Sequence, residues 1–176
     1  MKFEATKLGG VFIVRSEQSA DDRGVFYRSF CQESFLAAGL IPPMLQSSLS
    51  INHRAKCLRG LHYQREPGAE TKLVRCVAGA IWDVAVDLRP DSPTHRQWVG
   101  IELSAANGAA LYSPPGCAHG FLTLEDGAHV LYQMDTAYRP DLAAGVRWND
   151  PAFAITWPTT PDILSPRDRD YPDYDR

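Results

Sequence analysis

A succession of short apolar runs, each closed by a Gly, Pro, Asp or Asn turn signal, decides most of what this chain can fold into. The runs are Phe12-Ile13-Val14, Val25-Phe26-Tyr27, Leu73 to Val77, Ile81 to Leu88, Trp98 to Leu103, Ala110-Leu111-Tyr112, Gly120 to Leu124 and Ala128 to Met134. Runs this short and this regularly punctuated read as strands. Asp83, Ala85 and Asp87 alternate with Trp82, Val84, Val86 and Leu88, a period of two that only an extended chain gives to one face. Ala78-Gly79 reads as a tight hairpin between two strands. One segment is helical in pattern, Gln32 to Ala38, ended by Gly39, and a further short helical turn is expected from Ser104 or Ala105. The expected class is all-β: a sandwich, jelly roll or barrel with a few short helices. The 176 residues suffice for one domain with a sizeable core. There is no internal repeat, low-complexity stretch or linker. From Pro158 onward the chain is rich in Pro and Asp, and we expect a tail docked on the domain surface.

Charge and composition remove several classes of function. A formal net charge of −3 argues against general nucleic-acid binding, which needs a basic stripe. No apolar run is long enough to span a membrane. Met1-Lys2-Phe3-Glu4-Ala5 begins without an apolar leader, which points to the cytoplasm. Cys31, Cys57, Cys76 and Cys117 are scattered with no Cys-x-x-Cys pair. They read as buried small apolar residues, not as zinc ligands or disulfides.

The chemistry concentrates in Leu58-Arg59-Gly60-Leu61-His62-Tyr63-Gln64, with Lys72 following in a second strand-like run. An imidazole can take a proton near neutral pH. Arg and Lys can hold an anion or steady a developing negative charge. A base beside two cations, with no nucleophile motif nearby, suits proton abstraction next to a carbonyl.

A second motif, Gly-x5-Pro-x-Gly-x2-His, runs from Gly108 through Pro114 and Gly116 to His119. It resembles the second sequence motif of the cupin superfamily, in which the histidine points into the mouth of a jelly-roll barrel. Metal-binding cupins add an earlier His-x-His and a Glu. Here that stretch reads His62-Tyr63-Gln64, so the second histidine is missing and no metal or other cofactor is expected.

Nearly end to end the chain resembles the dTDP-4-dehydrorhamnose 3,5-epimerase family. The resemblance rests on the order and spacing of Asp22-Arg23-Gly24, Leu58 to Gln64, Lys72 to Arg75, Asp83 to Arg89, Ser92-Pro93, Ala118-His119-Gly120-Phe121, Leu131-Tyr132, Trp148-Asn149-Asp150-Pro151 and Leu164 to Asp168. It implies a cupin-type double-stranded β-helix and a substrate that is a nucleotide-linked 4-keto-6-deoxy sugar. A base removes the acidic hydrogen at C3 or C5, an enolate forms, and an acid returns a proton to the other face. By resemblance His62 is the base, Tyr132 the acid and Asp168 the carboxylate that orients His62, while Lys72 holds the ketone oxygen. Arg23, Arg59, His119 and Arg167 would hold the diphosphate or sugar. Gln46, Ser48 and Tyr138 would meet the nucleotide. The segment around Arg23 would reach over a second copy, so the resemblance implies a homodimer with a shared active site and a nucleotide sugar as the partner.

Each of these residues also has a plainer reading. A lone strand histidine is by default a satisfied core residue, a strand tyrosine packs, a tail aspartate is solvated, and Arg23 is a turn residue in a surface ion pair. Three nucleotide-facing positions depart from the family pattern. Position 28 is Arg28 where an acid is usual, positions 46–48 read Gln46-Ser47-Ser48 in place of Gln-x-Asn, and position 143 is Ala143 in place of glutamate. The nucleotide base therefore stays open, as does the choice between inversion at C3, C5 or both. A 3,4-ketoisomerase usually carries a second histidine in place of the tyrosine. A non-catalytic sugar-binding cupin need not keep His62, Lys72, Tyr132 and Asp168 together.

Overall fold

The computed structural model describes residues 1–174; the last two residues of the expected tail lie outside them. In chain order the elements are β1 (Lys2–Ala5), β2 (Phe12–Arg15), β3 (Gln18–Asp21), β4 (Gly24–Tyr27), α1 (Gln32–Ala37), β5 (Gln46–Asn52), β6 (Leu58–Gln64), β7 (Lys72–Ala78) and β8 (Ala80–Asp87). They continue with β9 (Trp98–Ser104), β10 (Ala110–Ser113), β11 (Cys117–Thr123), β12 (Ala128–Met134), β13 (Ala143–Gly145) and α2 (Pro166–Arg169). Six strands in the order β1-β2-β10-β7-β12-β5 form one antiparallel sheet, and five in the order β13-β6-β11-β8-β9 form the other. The β3–β4 hairpin stands apart as a two-stranded ribbon. This is the expected all-β jelly roll with two short helices. Among the described residues no helix is long and apolar enough to cross a membrane.

The two sheets face each other over an apolar core. Val74, Cys76, Leu111 and Val130 from the first meet Ile81, Ala85, Leu103 and Phe121 from the second. Each fully buried Val, Leu, Ile or Phe among them contributes about 1.5–3 kcal/mol. The outer faces are covered as well. Tyr112, Leu73 and Ala110 lie under Phe35 of α1, and Val84, Val86 and Leu61 lie under Val146, Phe153 and Trp157 of the C-terminal segment. The period of two in β8 therefore does not separate core from solvent. Ala85 faces the inner core, its neighbours Val84 and Val86 face the covered outer side, and Asp83 and Asp87 are fully buried.

The expected hairpin is corrected. Ala78-Gly79 is not a hairpin, because β7 and β8 lie in different sheets, each already flanked by two other strands. Gly79, at φ +68°, turns the chain from one sheet to the other, and its carbonyl accepts from Ala105 N at 3.0 Å. The short helical turn expected at Ser104 or Ala105 is present as a single turn, closed by Gly108 N donating to Ser104 O at 3.1 Å. The Asn107 side chain accepts from Ser104 N at 3.2 Å and Ala109 N at 2.9 Å, and Gly108 at φ +60° ends it. The cysteines divide as well: Cys76 and Cys117 are buried, but Cys31 and Cys57 are only half-buried. Both lie on covering segments outside the strands, where full burial is not enforced.

One close approach positions the functional end of the barrel. Gly60 has φ +124°, and a Cβ there would lie 2.5 Å from Gly120 Cα and 2.9 Å from His119 O. The missing side chains let the neighbouring strands β6 and β11 come close at this point of their antiparallel pairing, where the register shifts between His119 and Phe121. His62 and His119 consequently sit directly opposite each other across the two strands.

Candidate active site

At one end of the barrel the core turns polar and opens into a cavity of about 590 Å³. Its walls include Arg59, His62, Lys72, His119, Tyr132 and Asp168. A second lobe of about 350 Å³ shares His62, Lys72 and Tyr132 and adds Gln46, Ser48 and Tyr138. His62 comes from β6 of one sheet, and Tyr132 from β12 of the other. The cavity thus lies between an imidazole and a phenol delivered from opposed walls.

His62 is fixed by the tail. Its Nε2 lies 2.7 Å from Asp168 Oδ1, and Asp168 is 4% exposed. Ser165 caps α2 by accepting from Asp168 N at 3.1 Å, and Gly60 N donates to Asp168 Oδ2 at 3.2 Å. Burial pushes the Asp168 carboxyl up, but the hydrogen bonds from His62, Gly60 and Ser165 outweigh it and hold the group below the usual carboxylate range. Asp168 engages Nε2 of His62 and so leaves the ring's other nitrogen free of that contact.

Lys72 opens β7 and is 8% exposed. Its Nζ donates to the His62 carbonyl at 3.0 Å and pairs with Glu70 Oε1 at 2.9 Å. Gln64 Nε2 donates to the other Glu70 oxygen at 2.9 Å. An ammonium has three donors, so one N–H remains for an oxygen in the cavity. Arg59 is steadied by Asn52, whose Oδ1 accepts from its Nε at 2.8 Å.

Tyr132 packs edge-on against His119, with ring centroids 5.9 Å apart. Its hydroxyl makes no intramolecular hydrogen bond among the described residues. Burial first, then the nearby Asp83 charge, push its pKa far up, partly opposed by Arg59. Such a phenol holds its proton until a strong base is presented. His119 is buried, with Nε2 2.7 Å from Asp83 Oδ1. Burial raises the Asp83 pKa while His119 and Lys72 counter it.

The cavity gathers the expected His62, Tyr132, Asp168, Lys72, Arg59, His119 and Arg167, and the adjoining lobe gathers Gln46, Ser48 and Tyr138. Gln46 Oε1 accepts from Tyr138 N at 3.0 Å, which ties the mouth of that lobe together. Arg23 is not brought in. It sits at the β3–β4 turn with its side chain 90% exposed, paired to Asp21 at 2.5 Å. Within one chain the plain surface-pair reading of Arg23 holds. Of the departing positions, Arg28 is exposed in the segment after β4, and Ala143 pairs with Gln64 on β13.

Sequence reasoning missed Glu70, Gln64, Asn52 and Asp83. The signal for Glu70 was its position two residues before Lys72, on the same side of an extended chain. For Asp83 it was a charge inside an otherwise apolar strand. Among the described residues, no three His, Cys, Asp or Glu side chains gather as a metal site.

Comparison with known proteins shows the family to which the chain is similar. A family model described as dTDP-4-dehydrorhamnose 3,5-epimerase matches residues 5–176. The Escherichia coli (strain K12) dTDP-4-dehydrorhamnose 3,5-epimerase is 44% identical over 164 residues, covering 93% of this chain and 89% of that one. The crystal structure of the Bacillus anthracis enzyme of that name, with TDP and PPi bound, superposes with a TM-score of 0.95 at 42% identity, covering 98% of this chain and 99% of the other. A Legionella pneumophila dTDP-6-deoxy-D-glucose-3,5-epimerase in complex with dTDP-4-keto-L-rhamnose gives a TM-score of 0.89 at 36% identity, covering 95% and 89%.

Proposed function

The chain belongs to the dTDP-4-dehydrorhamnose 3,5-epimerase family, and from that premise we propose that it inverts C3 and C5 of dTDP-linked 4-keto-6-deoxyhexose. The enzyme is an isomerase. The observation that carries the residue assignment is the placement of the His62–Asp168 pair and the Tyr132 hydroxyl on opposed walls of one cavity.

His62 Nε2 is held by Asp168, so the ring's other nitrogen is the one that takes the hydrogen from carbon. The electron pair left behind moves onto the ketone oxygen. Lys72 meets that oxygen with its remaining N–H and steadies the enolate. Tyr132 then gives its proton to the other face of the same carbon, the carbonyl re-forms with the centre inverted, and exchange with water takes the proton from His62 and returns one to Tyr132 before the next inversion. A positioned acid or base is worth about 10²–10⁴-fold in rate. Arg59 and Arg167 carry the positive charge that suits a diphosphate. Tyr138 offers a ring on which a base can stack.

The distance of Arg23 from the cavity supports a homodimer in which the β3–β4 hairpin serves the partner's site. Val25 and Phe26 on that hairpin, and Leu49 and Ile51 on the outer face of β5, are exposed apolar side chains that a second copy would cover. Sedimentation is expected to show a dimer; a fully active monomer would refute this part.

The test of the function is deuterium uptake from solvent, followed by NMR, with dTDP- and other nucleotide-linked 4-keto-6-deoxyglucose. Exchange with inversion at C3 and C5, fastest with dTDP, is the expected result. Inversion at one centre alone would make this a single epimerase, and no exchange with any substrate would overturn the reading.

A further inference from the structure

Asp168 reaches His62 from a short tail helix that belongs to neither sheet. Before the helix, the tail is anchored by Asp162 N and Ile163 N on Lys56 O (3.0 and 3.2 Å) and by Leu58 N on Ile163 O (2.9 Å). After it, Tyr174 N donates to Asp150 Oδ2 at 2.6 Å. Between these anchorages Asp168 and Tyr171 fix α2 to the β6–β13 pair.

The seat for Tyr171 is a missing side chain. Gly145 lies directly opposite His62 in the β13–β6 register. A Cβ there would overlap the Tyr171 ring at Cζ, Cε2 and Oη. Because that position is glycine, the ring drops beside His62, edge to face at a centroid distance of 6.2 Å. Its hydroxyl accepts from Arg167 Nε at 2.8 Å, and the Arg167 guanidinium lies 5.9 Å over the ring. Tyr171 therefore touches the imidazole on one side and the helix that carries Asp168 on the other.

We infer that Tyr171, seated in the Gly145 notch, is a positioning residue that clamps α2 so that Asp168 meets His62 in the productive geometry. It acts through Asp168 and touches no reacting atom. This rests on the reading of His62 as the base. An error of about 1 Å in such a contact can cost about 10²-fold in rate.

The test compares Tyr171→Ala, Tyr171→Phe and Gly145→Ala in the full chain. It reads kcat, KM and the NMR resonance of the His62 proton bonded to Asp168. Tyr171→Ala is expected to lower kcat about 10- to 100-fold, by more than any change in KM caused by freeing Arg167, and to weaken or lose that proton signal. Tyr171→Phe keeps the ring and is expected to keep the signal and most of the rate. Gly145→Ala expels the ring and is expected to behave like Tyr171→Ala, so it gives the answer if that variant does not fold. An unchanged His62 proton and unchanged kcat in both Tyr171→Ala and Gly145→Ala overturn the inference. Loss of the proton signal with full turnover would instead count against His62 as the base, as would an active His62→Ala.

Discussion

His62 Nε2 and Asp168 Oδ1 stand 2.7 Å apart although 106 residues separate them in the chain. The carboxylate comes from the tail and the imidazole from a strand, so the pair exists only when the tail is docked. Asp168→Asn keeps the volume and removes the carboxylate charge that meets His62 Nε2. It is expected to reduce kcat by about 10²–10⁴-fold while the melting transition stays cooperative. Steady-state kinetics with calorimetry on the same preparation checks this. Full activity would mean that the carboxylate only fastens the tail.

Lys72 is the second group whose removal is informative. Lys72→Ala takes away the donor for the enolate oxygen and leaves Glu70 buried without its cation. We expect a loss of about 10²–10³-fold in kcat, larger than any change in KM. Lys72→Arg is expected to recover only part of it, because a planar guanidinium does not fit a site shaped for a point charge.

Gly60→Ala tests the close approach beneath the site. The new Cβ would sit at φ +124°, where only glycine is comfortable, and 2.5 Å from Gly120 Cα. The expected cost is about 2 kcal/mol or more, read by urea denaturation. An unchanged midpoint would show that the two strands can separate freely.

Acid stability follows from the buried carboxylates. Burial raises Asp87, but Arg89, Ser92 and Thr94 hold it far below the ordinary carboxylate range, and Asp168 is held low as well. A depressed carboxylate contributes stability that is fully present above about pH 5 and is lost as pH falls through its folded value. Unfolding midpoints are therefore expected to drop steeply below about pH 4. Asp87→Asn should lower the midpoint at pH 7 and flatten that acid slope. Asp83 works in the opposite direction, since its pKa is raised by burial. An unchanged slope in Asp87→Asn would place the acid lability elsewhere.

How far the sequence alone carried can be seen residue by residue. The strand runs and the helix before Gly39 were legible because periodicity reports them directly, whereas the gathering of His62, Lys72 and Tyr132 about one cavity was expected only from the family resemblance, since a strand tyrosine by itself reads as packing. The hairpin at Ala78-Gly79 misled because a glycine turn looks alike whether it joins paired strands or crosses between sheets. β5 and β13 carried too few apolar residues to stand out; β5 reads Gln46-Ser47-Ser48-Leu49-Ser50-Ile51-Asn52. Glu70 and Asp83 were silent because their roles come from partners that only the fold brings near. Arg23 is a motif residue whose distance from the cavity no local pattern reveals.

The most direct test of the whole account compares His62→Ala with Tyr132→Phe in deuterated water, following both solvent exchange and configuration at C3 and C5 by NMR. His62→Ala should show neither exchange nor inversion. Tyr132→Phe should still exchange hydrogen at the face served by His62, yet give inverted product at least about 10²-fold more slowly. Inverted product from His62→Ala at an undiminished rate, or from Tyr132→Phe as fast as from the unaltered enzyme, would contradict it.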